Sequence, residues 1–398
     1  APMCRRAFLR YDGPVEERRT RLAILGSTGS IGRQTLDVVS KYRREFEVVA
    51  LSAGRNADLL AAQVVEVRHR FVDALERTPV LEDAVRSVGA VWLPAEEIAA
   101  HPDVDLVVVA TVGAAGLLPT LAALRARKAV ALANKEVLVM AGHLVRRELE
   151  RSGGELRPID SEHSAIWQSL WGEEGHAIRR IILTASGGAF RDRTLDELAR
   201  VTPEEALDHP TWRMGPKITV DSATLMNKGM ETIEAAWLFG VPMERVEVVI
   251  HRESVIHSLV EFSDGSVKAQ LGVPDMRLPI LCALAYPKRL PEPVAPLLDL
   301  AAYGQLTFGK PDFDRFPCLR LAMEAGRLGG TYPAVMAAAD EVAVARFLAG
   351  ELGFLDIPAV IERALERHEP IPDPSLEEVL AADAWARQVA GAVPAGAR

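Results

Sequence analysis

Two periods alternate along residues 21–160. Residues 21–25 read as a short apolar strand. A glycine-rich turn follows, and an amphipathic pattern predicts a helix to about residue 40. Residues 47–53 predict a second strand. Residues 104–111 form a continuous apolar run, the pattern of a strand buried on both faces. Residues 117–127 predict a helix and 129–133 another strand. Such βαβ alternation predicts a parallel sheet covered by helices.

Near residue 160 the pattern changes. Residues 178–184 predict a strand that leads into Ser186-Gly187-Gly188. Residues 203–216 are polar and flanked by prolines, and read as a loop. His209, Trp212 and Met214 lie on this loop, and an exposed Trp and Met there point to a loop that closes over something, with a structural anchor as the alternative. Residues 222–239 predict one helix. Residues 245–249, 258–262 and 266–271 predict strands, with Ser263-Asp264-Gly265 as a hairpin turn. Pro287, Pro291, Pro293 and Pro296 mark a linker, and from Cys318 to about residue 390 the chain is Ala-rich and helical.

Composition narrows the class. The 398 residues are 49% hydrophobic and 25% charged, which excludes a disordered, collagen-like or coiled-coil chain. The net charge of −9 argues against a nucleic-acid binder, although local Lys, Arg and amide groups can hold a small anion. Cys4, Cys282 and Cys318 are far apart, so neither a disulfide framework nor a structural zinc site is expected, and a reducing, cytoplasmic location fits. The apolar run 106–118 is too short for a bilayer, so no membrane association is expected. Residues 1–20 mix arginines with acids around no apolar run. They read as a solvated extension rather than a secretory signal.

The clearest motif is Gly26-Ser27-Thr28-Gly29-Ser30-Ile31-Gly32, between the first strand and the first helix. Glycines let the backbone turn sharply and approach a pyrophosphate, which then sits on the free N–H groups of the helix start. Gly26, Thr28, Gly29, Ser30, Ile31 and Gly32 are the candidates, and a ligand-free turn is the plainer alternative. The second strand ends in Ser52-Ala53-Gly54-Arg55-Asn56, without the acid that would hold a ribose 2′-hydroxyl. Arg55 would complement a 2′-phosphate, so NADP is favoured over NAD, with a plain surface arginine as the alternative. The predicted fold class is α/β. A Rossmann-type NADP-binding domain over 21–160 follows the extension 1–20. Then come an α/β catalytic domain over 161–290, a linker over 291–317 and a small helical bundle over 318–398.

Carboxylates supply the second signal. Asp160-Ser161-Glu162-His163 follows the apolar Pro158-Ile159, and in an extended segment Asp160 and Glu162 would point the same way. Two close carboxylates repel unless a cation joins them, and oxygen ligands suit a hard divalent ion. A solvated turn is the plainer reading, and His163 alone reads as a packing residue. Glu231 could supply a third carboxylate, sharing a helix face with Asn227 and Lys228; the alternative is a surface Lys228–Glu231 pair. Gly229 in mid-helix hints at close approach by a ligand or another segment.

Together these segments resemble the 1-deoxy-D-xylulose 5-phosphate reductoisomerase family. The carriers are GSTGSIG at 26–32, AGRN at 53–56, LANKE at 132–136, DSEH at 160–163, SGG at 186–188, HPTWRMG at 209–215, DSATLMNKGMETIEA at 221–235 and GVPDMRLPI at 272–280. The resemblance runs from Leu22 to about Ala390. It implies NADPH- and divalent-metal-dependent (Mg²⁺, Mn²⁺ or Co²⁺) rearrangement and reduction of 1-deoxy-D-xylulose 5-phosphate to 2-C-methyl-D-erythritol 4-phosphate in the non-mevalonate isoprenoid route, by a homodimer. It implies cofactor contacts for the glycine turn, Gly54, Arg55, Asn56, Asn134, Glu136 and Gly215. It implies metal ligation by Asp160, Glu162 and Glu231. It implies substrate contacts for Lys135, Ser161, Glu162, Ser186, His209, Trp212, Met214, Ser222, Asn227, Lys228, Glu231 and Met276, with Ser254 in a supporting role. Lys135, Asp160, Glu162, His209 and Glu231 are the implied catalytic set. The general base stays open between Lys135, His163 and metal-bound hydroxyls. The departures are Val137, where a serine is common in the family, Arg55, where lysine is common, and the divergent stretch 62–95. A reductase or a metal-dependent isomerase of another sugar phosphate, or a non-catalytic NADP-binding module, are the competing readings.

Overall fold

A computed structural model describes residues 18–173, 177–212 and 214–396. Residues 1–17 of the expected extension, with Cys4, and Arg213 of the loop motif lie outside the described residues. Seven short strands pair in parallel: β1 (Thr20–Leu25), β2 (Phe46–Ala53), β3 (Phe71–Ala74), β4 (Val91–Trp92), β5 (Leu106–Val109), β6 (Ala129–Leu132) and β7 (Glu155–Pro158). Their order is β4-β3-β2-β1-β5-β6-β7. The chain therefore reverses direction of growth at β1, between β2 and β5, and the crevice at such a switch point takes ligands. The apolar run at 104–111 yields only the four residues of β5, because the residues from Ala110 turn away towards the glycine loop.

Helices cover both faces. α1 (Ser30–Lys41), α2 (Ala57–Val67), α3 (Pro79–Val88), α4 (Ala95–Ala100), α5 (Leu117–Arg125) and α6 (Glu136–Ser152) follow the strands in turn. One core joins Leu22, Leu51 and Val108 of the sheet to α1, α2 and α3; the other joins Val107, Val109 and Val130 to α4, α5 and α6. α7 (Ser161–Ser169) starts directly after Asp160. The extended geometry expected for Asp160-Ser161-Glu162 is therefore corrected: Glu162 lies in the first helical turn.

The second sheet holds β8 (Ile178–Ala185), β9 (Val246–Ile250), β10 (Ile256–Phe262) and β11 (Val267–Leu271) in the order β11-β10-β8-β9. β10 and β11 form the expected antiparallel hairpin. The stretch expected as a loop at 203–216 contains two short helices' worth of capping signal upstream and within. α8 (Leu195–Leu198) and α9 (Pro203–Ala206) each start on a threonine capping box, so among the described residues of that stretch only 207–212 and 214–215 are irregular. The single helix expected over 222–239 is two, α10 (Pro216–Thr224) and α11 (Met226–Phe239). The break is the buried Leu225 at φ +61. In one unbroken helix Ser222 and Lys228 would sit about 120° apart around the axis, since six residues turn through about 600° at 3.6 residues per turn. The break re-aims them into one cavity.

α12 (Arg277–Ala285) returns to the first sheet, where Ile280 and Leu284 join the core beside α1. An irregular stretch with one short turn of helix, α13 (Leu300–Tyr303), leads to four helices: α14 (Pro317–Leu328), α15 (Tyr332–Leu348), α16 (Asp356–Glu366) and α17 (Leu376–Ala392). These share one continuous core with the second sheet and α11, joining Leu183, Met230 and Val248 to Leu319, Val335 and Phe347. Gly229 explains itself here: a Cβ on it would lie 2.4 Å from Ala322 Cβ, so the close approach is by α14 and not by a ligand. Cys282 and Cys318 are free and buried. Among the described residues no helix is long and apolar enough to cross a membrane.

Candidate active site

The glycine turn closes β1 onto α1 at the switch point. Gly26 has φ +89, and a Cβ there would lie 2.4 Å from the Ala110 carbonyl oxygen at the end of β5. A Cβ on Gly32 would lie 2.3 Å from the Gly26 oxygen. Gly29 caps α1 with no side chain, which leaves the first N–H groups of the helix open to an anion. The amides of Gly26 and Ser27 donate to the Ser52 carbonyl at 2.9 and 2.8 Å, so the turn abuts the end of β2, where Gly54, Arg55 and Asn56 are exposed. Asn56 also caps α2, accepting from the Leu59 amide at 3.1 Å. Gln63 fixes the turn from behind: Ser27 Oγ donates to it at 2.7 Å, and its Nε2 donates to the Ser27 carbonyl at 3.0 Å. Sequence reasoning missed Gln63; its signal was one amide on the otherwise apolar stretch 59–65.

Asn134 and Glu136 are less direct. Asn134 is buried; its Nδ2 donates to the Gly113 carbonyl at 2.9 Å and its Oδ1 accepts from the Val137 amide at 3.2 Å. It thus holds the loop after β5 to the start of α6, where Glu136 stands 4.0 Å from Lys217. Neither side chain lines the large cavity, whereas Ser30, Ile31 and Gly215 do.

That cavity, of about 640 Å³, also receives the carboxylates. Ligand oxygens of Asp160, Glu162 and Glu231 lie within 4.8 Å of one another. Lys135 Nζ stands 2.5 Å from Asp160 and 3.1 Å from Glu231, and donates to Asn227 Oδ1 at 2.6 Å. Lys228 pairs with Glu162 at 2.8 Å and with Glu231. Lys228 and Glu231 are therefore not the surface pair of the plainer reading; both are buried. Glu234, one turn after Glu231, was missed; it faces His163 Nδ1 at 3.5 Å, and His163 Nε2 donates to the Glu231 carbonyl at 3.0 Å. The i, i+3 spacing of 231 and 234 was its only signal.

Charge explains what this cluster can hold. Four carboxyl groups (Asp160, Glu162, Glu231, Glu234) oppose two ammonium groups (Lys135, Lys228), which leaves the cluster an excess of acidic groups. A divalent cation would balance it. Burial alone would raise Asp160, but Lys135 and the other nearby cations more than offset this and hold it well below the usual carboxylate range. Burial and the Glu162 charge raise Glu231. Burial pushes Glu234 up to about 7. The Glu234 oxygen that faces His163 has no hydrogen-bond partner, and the Asp160 oxygen that faces it meets the Lys135 ammonium. Buried, partly unpaired oxygen donors of this kind fit a hard cation such as Mg²⁺ or Mn²⁺.

The hydroxyl set lies across the cavity. Ser186 follows β8, and a Cβ on Gly188 would lie 2.4 Å from the Ser222 carbonyl oxygen, so this turn seats directly against the end of α10. His209 Nε2 is 3.2 Å from Ser186 Oγ and 3.1 Å from Ser222 Oγ. Its Nδ1 accepts the amides of Thr211 and Trp212 at 3.1 and 2.9 Å, so the proton sits on Nε2 and donates to a serine. Burial, helped by the Arg191 charge, lowers His209 to about 4, so the ring is neutral at ordinary pH. Trp212 lies over His257 with ring centres 6.3 Å apart. His257, also lowered to about 4 by burial, lines the cavity and was not anticipated. Ser161, Met214, Asn227, Lys228, Ser254 and Met276 line the same space. The cavity thus gathers every predicted substrate and metal residue, and meets the cofactor set at Ser30, Ile31 and Gly215.

Comparison with known proteins agrees over most of the chain. Residues 22–142 match the family described as 1-deoxy-D-xylulose 5-phosphate reductoisomerase, 156–239 its C-terminal domain, and 271–389 the DXP reductoisomerase C-terminal domain. The reductoisomerase of Geobacillus kaustophilus is 55% identical over 371 residues, 92% of this chain and 97% of that one. That of Moorella thermoacetica is 54% identical over 381 residues, 94% of this chain and 98% of that one. Among solved structures, the Zymomonas mobilis reductoisomerase in complex with NADPH superposes with a TM-score of 0.86 at 44% identity, covering 94% of this chain and 99% of that one. A DOX-P reductoisomerase in complex with NADPH, fosmidomycin and magnesium gives 0.88 at 40% identity, covering 94% and 98%.

Proposed function

The chain belongs to the 1-deoxy-D-xylulose 5-phosphate reductoisomerase family, and from that premise we propose that it rearranges and reduces 1-deoxy-D-xylulose 5-phosphate to 2-C-methyl-D-erythritol 4-phosphate with NADPH and a divalent cation. The observation that carries the reading is the single cavity: the carboxylate triad, the serine–histidine set and the start of α1 open into it together. A non-redox isomerase has no use for the glycine turn, and a plain reductase none for the triad.

Each group has a task. The open N–H groups of α1 would hold the pyrophosphate of NADPH, and Arg55 after β2 would complement its 2′-phosphate. NADPH, when bound, supplies the hydride for the aldehyde formed by rearrangement. Asp160, Glu162 and Glu231 would hold the cation, which when bound polarises adjacent substrate oxygens as a Lewis acid. Lys135, held between Asp160, Asn227 and Glu231, offsets part of the carboxylate charge and lines the cavity where the substrate would bind. Ser186, Ser222, Asn227 and Lys228 bind that phosphate, with His209 donating from Nε2. This binding energy, remote from the bonds that change, orients the reacting carbons. Residues 207–215, with Trp212 and Met214, close over the cavity and exclude water. A cytoplasmic homodimer is proposed with this function; β11, the edge of the second sheet with Val267 and Leu271 exposed, leaves a pairing edge open.

NADPH absorbance with 1-deoxy-D-xylulose 5-phosphate, with Mg²⁺ or Mn²⁺ and then with chelator, tests the whole reading. Metal-dependent oxidation of NADPH is the expected result. Oxidation that survives the chelator would leave a plain reductase, and none at all from a sample that binds NADPH would point to another sugar phosphate. Arg55→Glu is expected to weaken NADPH by about 100-fold and NADH by under about threefold, from the loss of a charge-assisted contact and its replacement by repulsion. An unchanged preference, read as the ratio of the two KM values, would remove Arg55 from the 2′-phosphate site.

A further inference from the structure

Beneath the phosphate pocket one ammonium group faces carboxylates from three parts of the chain. Lys217 lies in the first turn of α10, two residues after Gly215. Its Nζ stands 2.6 Å from Asp221 on the same helix, 2.8 Å from Asp340 on α15, and 4.0 Å from Glu136 at the start of α6. Asp340 is fully buried, and Lys217 apart, neither of its oxygens has a polar partner; Asp221 Oδ1 has no hydrogen bond either. A buried pair of carboxylates sharing one cation is weak evidence of a stabilising device, because desolvation consumes most of the attraction. Its effect here is geometric. Asp221 precedes Ser222, and the loop 207–215 runs directly into α10.

We propose that Lys217 is a positioning residue for the phosphate pocket. It fastens α10 and the C-terminal hinge of the loop 207–215 to the cofactor side through Glu136 and to the helical bundle through Asp340. The inference rests on the reading of Ser186, Ser222 and Lys228 as a phosphate pocket. Lys217 touches no substrate; it sets where Ser222 stands relative to Ser186 and Lys228, and so acts on affinity for the phosphate end.

The experiment compares wild type, K217M, K217R and K217M/D340N by steady-state kinetics, melting temperature, and the rise in melting temperature on adding inorganic phosphate. K217M alone leaves two buried carboxylates without their cation and can lose stability for that reason. K217M/D340N removes one of those charges and keeps the test open. In the double variant, melting is expected within a few degrees of wild type. KM for the sugar phosphate is expected to rise about 10-fold, with kcat within about threefold and KM for NADPH unchanged. The phosphate-induced rise in melting temperature is expected to vanish, and K217R to recover part of the KM. A double variant that binds both the sugar phosphate and inorganic phosphate as wild type does would overturn the proposal and leave Lys217 as a neutraliser of buried charge. If wild type turns over no ketose phosphate, the proposed function fails by itself, and the inorganic-phosphate shift still decides the role of Lys217.

Discussion

Glu231→Gln is expected to lower turnover about 10³-fold, about 4 kcal/mol of transition-state stabilisation, while NADPH affinity stays within about twofold. Glu231 is the one carboxylate of the triad supplied by α11, and both its oxygens are engaged. Oε1 accepts from Asn227 at 2.5 Å and from Lys135 at 3.1 Å, and Oε2 pairs with Lys228. Glutamine keeps the shape but turns an NH₂ group against one of the two ammonium groups, which must then swing away. It also removes one of the three carboxylates that would hold the cation. The glycine turn is packed in a different core, which is why cofactor binding is spared. The checks are turnover against Mg²⁺ concentration and NADPH titration by fluorescence. Wild-type turnover at low metal would exclude Glu231 from the cation site.

Gly26→Ala acts on the other half of the reaction. It is expected to raise the Kd for NADPH more than about 100-fold and to cost about 2–4 kcal/mol of stability. At φ +89 an added Cβ lies 2.4 Å from the Ala110 oxygen and 2.9 Å from the Thr111 nitrogen. Both are backbone atoms, so neither can yield by a rotamer change. To make room the turn must open away from the end of β5, which displaces the N–H groups of α1. Gly391→Ala is the control: it lies on α17, apart from the cofactor residues, and a Cβ there meets nothing within 4 Å. Denaturant unfolding and NADPH titration of the two variants separate the cases. Near-wild-type NADPH affinity in Gly26→Ala would mean that the turn does not cradle the cofactor.

Much of this was legible in the sequence wherever the signal is local. The period-2 and period-3.6 stretches place β1, α1, β2 and α5 to within a few residues, because each has one face or both committed to a core. The glycine turn and the Asp160 segment are contiguous motifs, and their chemistry reads without the fold. What was illegible came from partners far apart in the chain. Nothing near Leu225 forecasts a helix break; no glycine or proline is adjacent, and burial together with hydrogen bonds from the Leu225 amide to Ser222 and from the Met226 amide to the Thr224 hydroxyl holds a leucine at φ +61. Asp160 before Ser161-Glu162 could have been read as a helix start. The carboxylates drew the reading towards a strand, and the Asp160 side chain indeed does not cap α7 but faces the cation cluster. Gln63, Glu234 and Asp340 are ordinary residues in sequence. Each becomes informative only when its distant neighbour is known: Ser27, His163 and Lys217.

The contact between Gly229 and Ala322 reaches further than packing. Gly229 lies on α11 between Lys228 and Glu231, and α14 rests on it with no side chain intervening. The absence of one methyl group is thus the gauge that sets how deep the ligand-bearing helix sits. A larger residue at 229 or 322 would work as a shim, lifting Asn227, Lys228 and Glu231 together from the carboxylates and serines that face them. Metal affinity and phosphate affinity are in that sense mechanically ganged, and a residue of the helical bundle with no contact to either ligand can detune both at once.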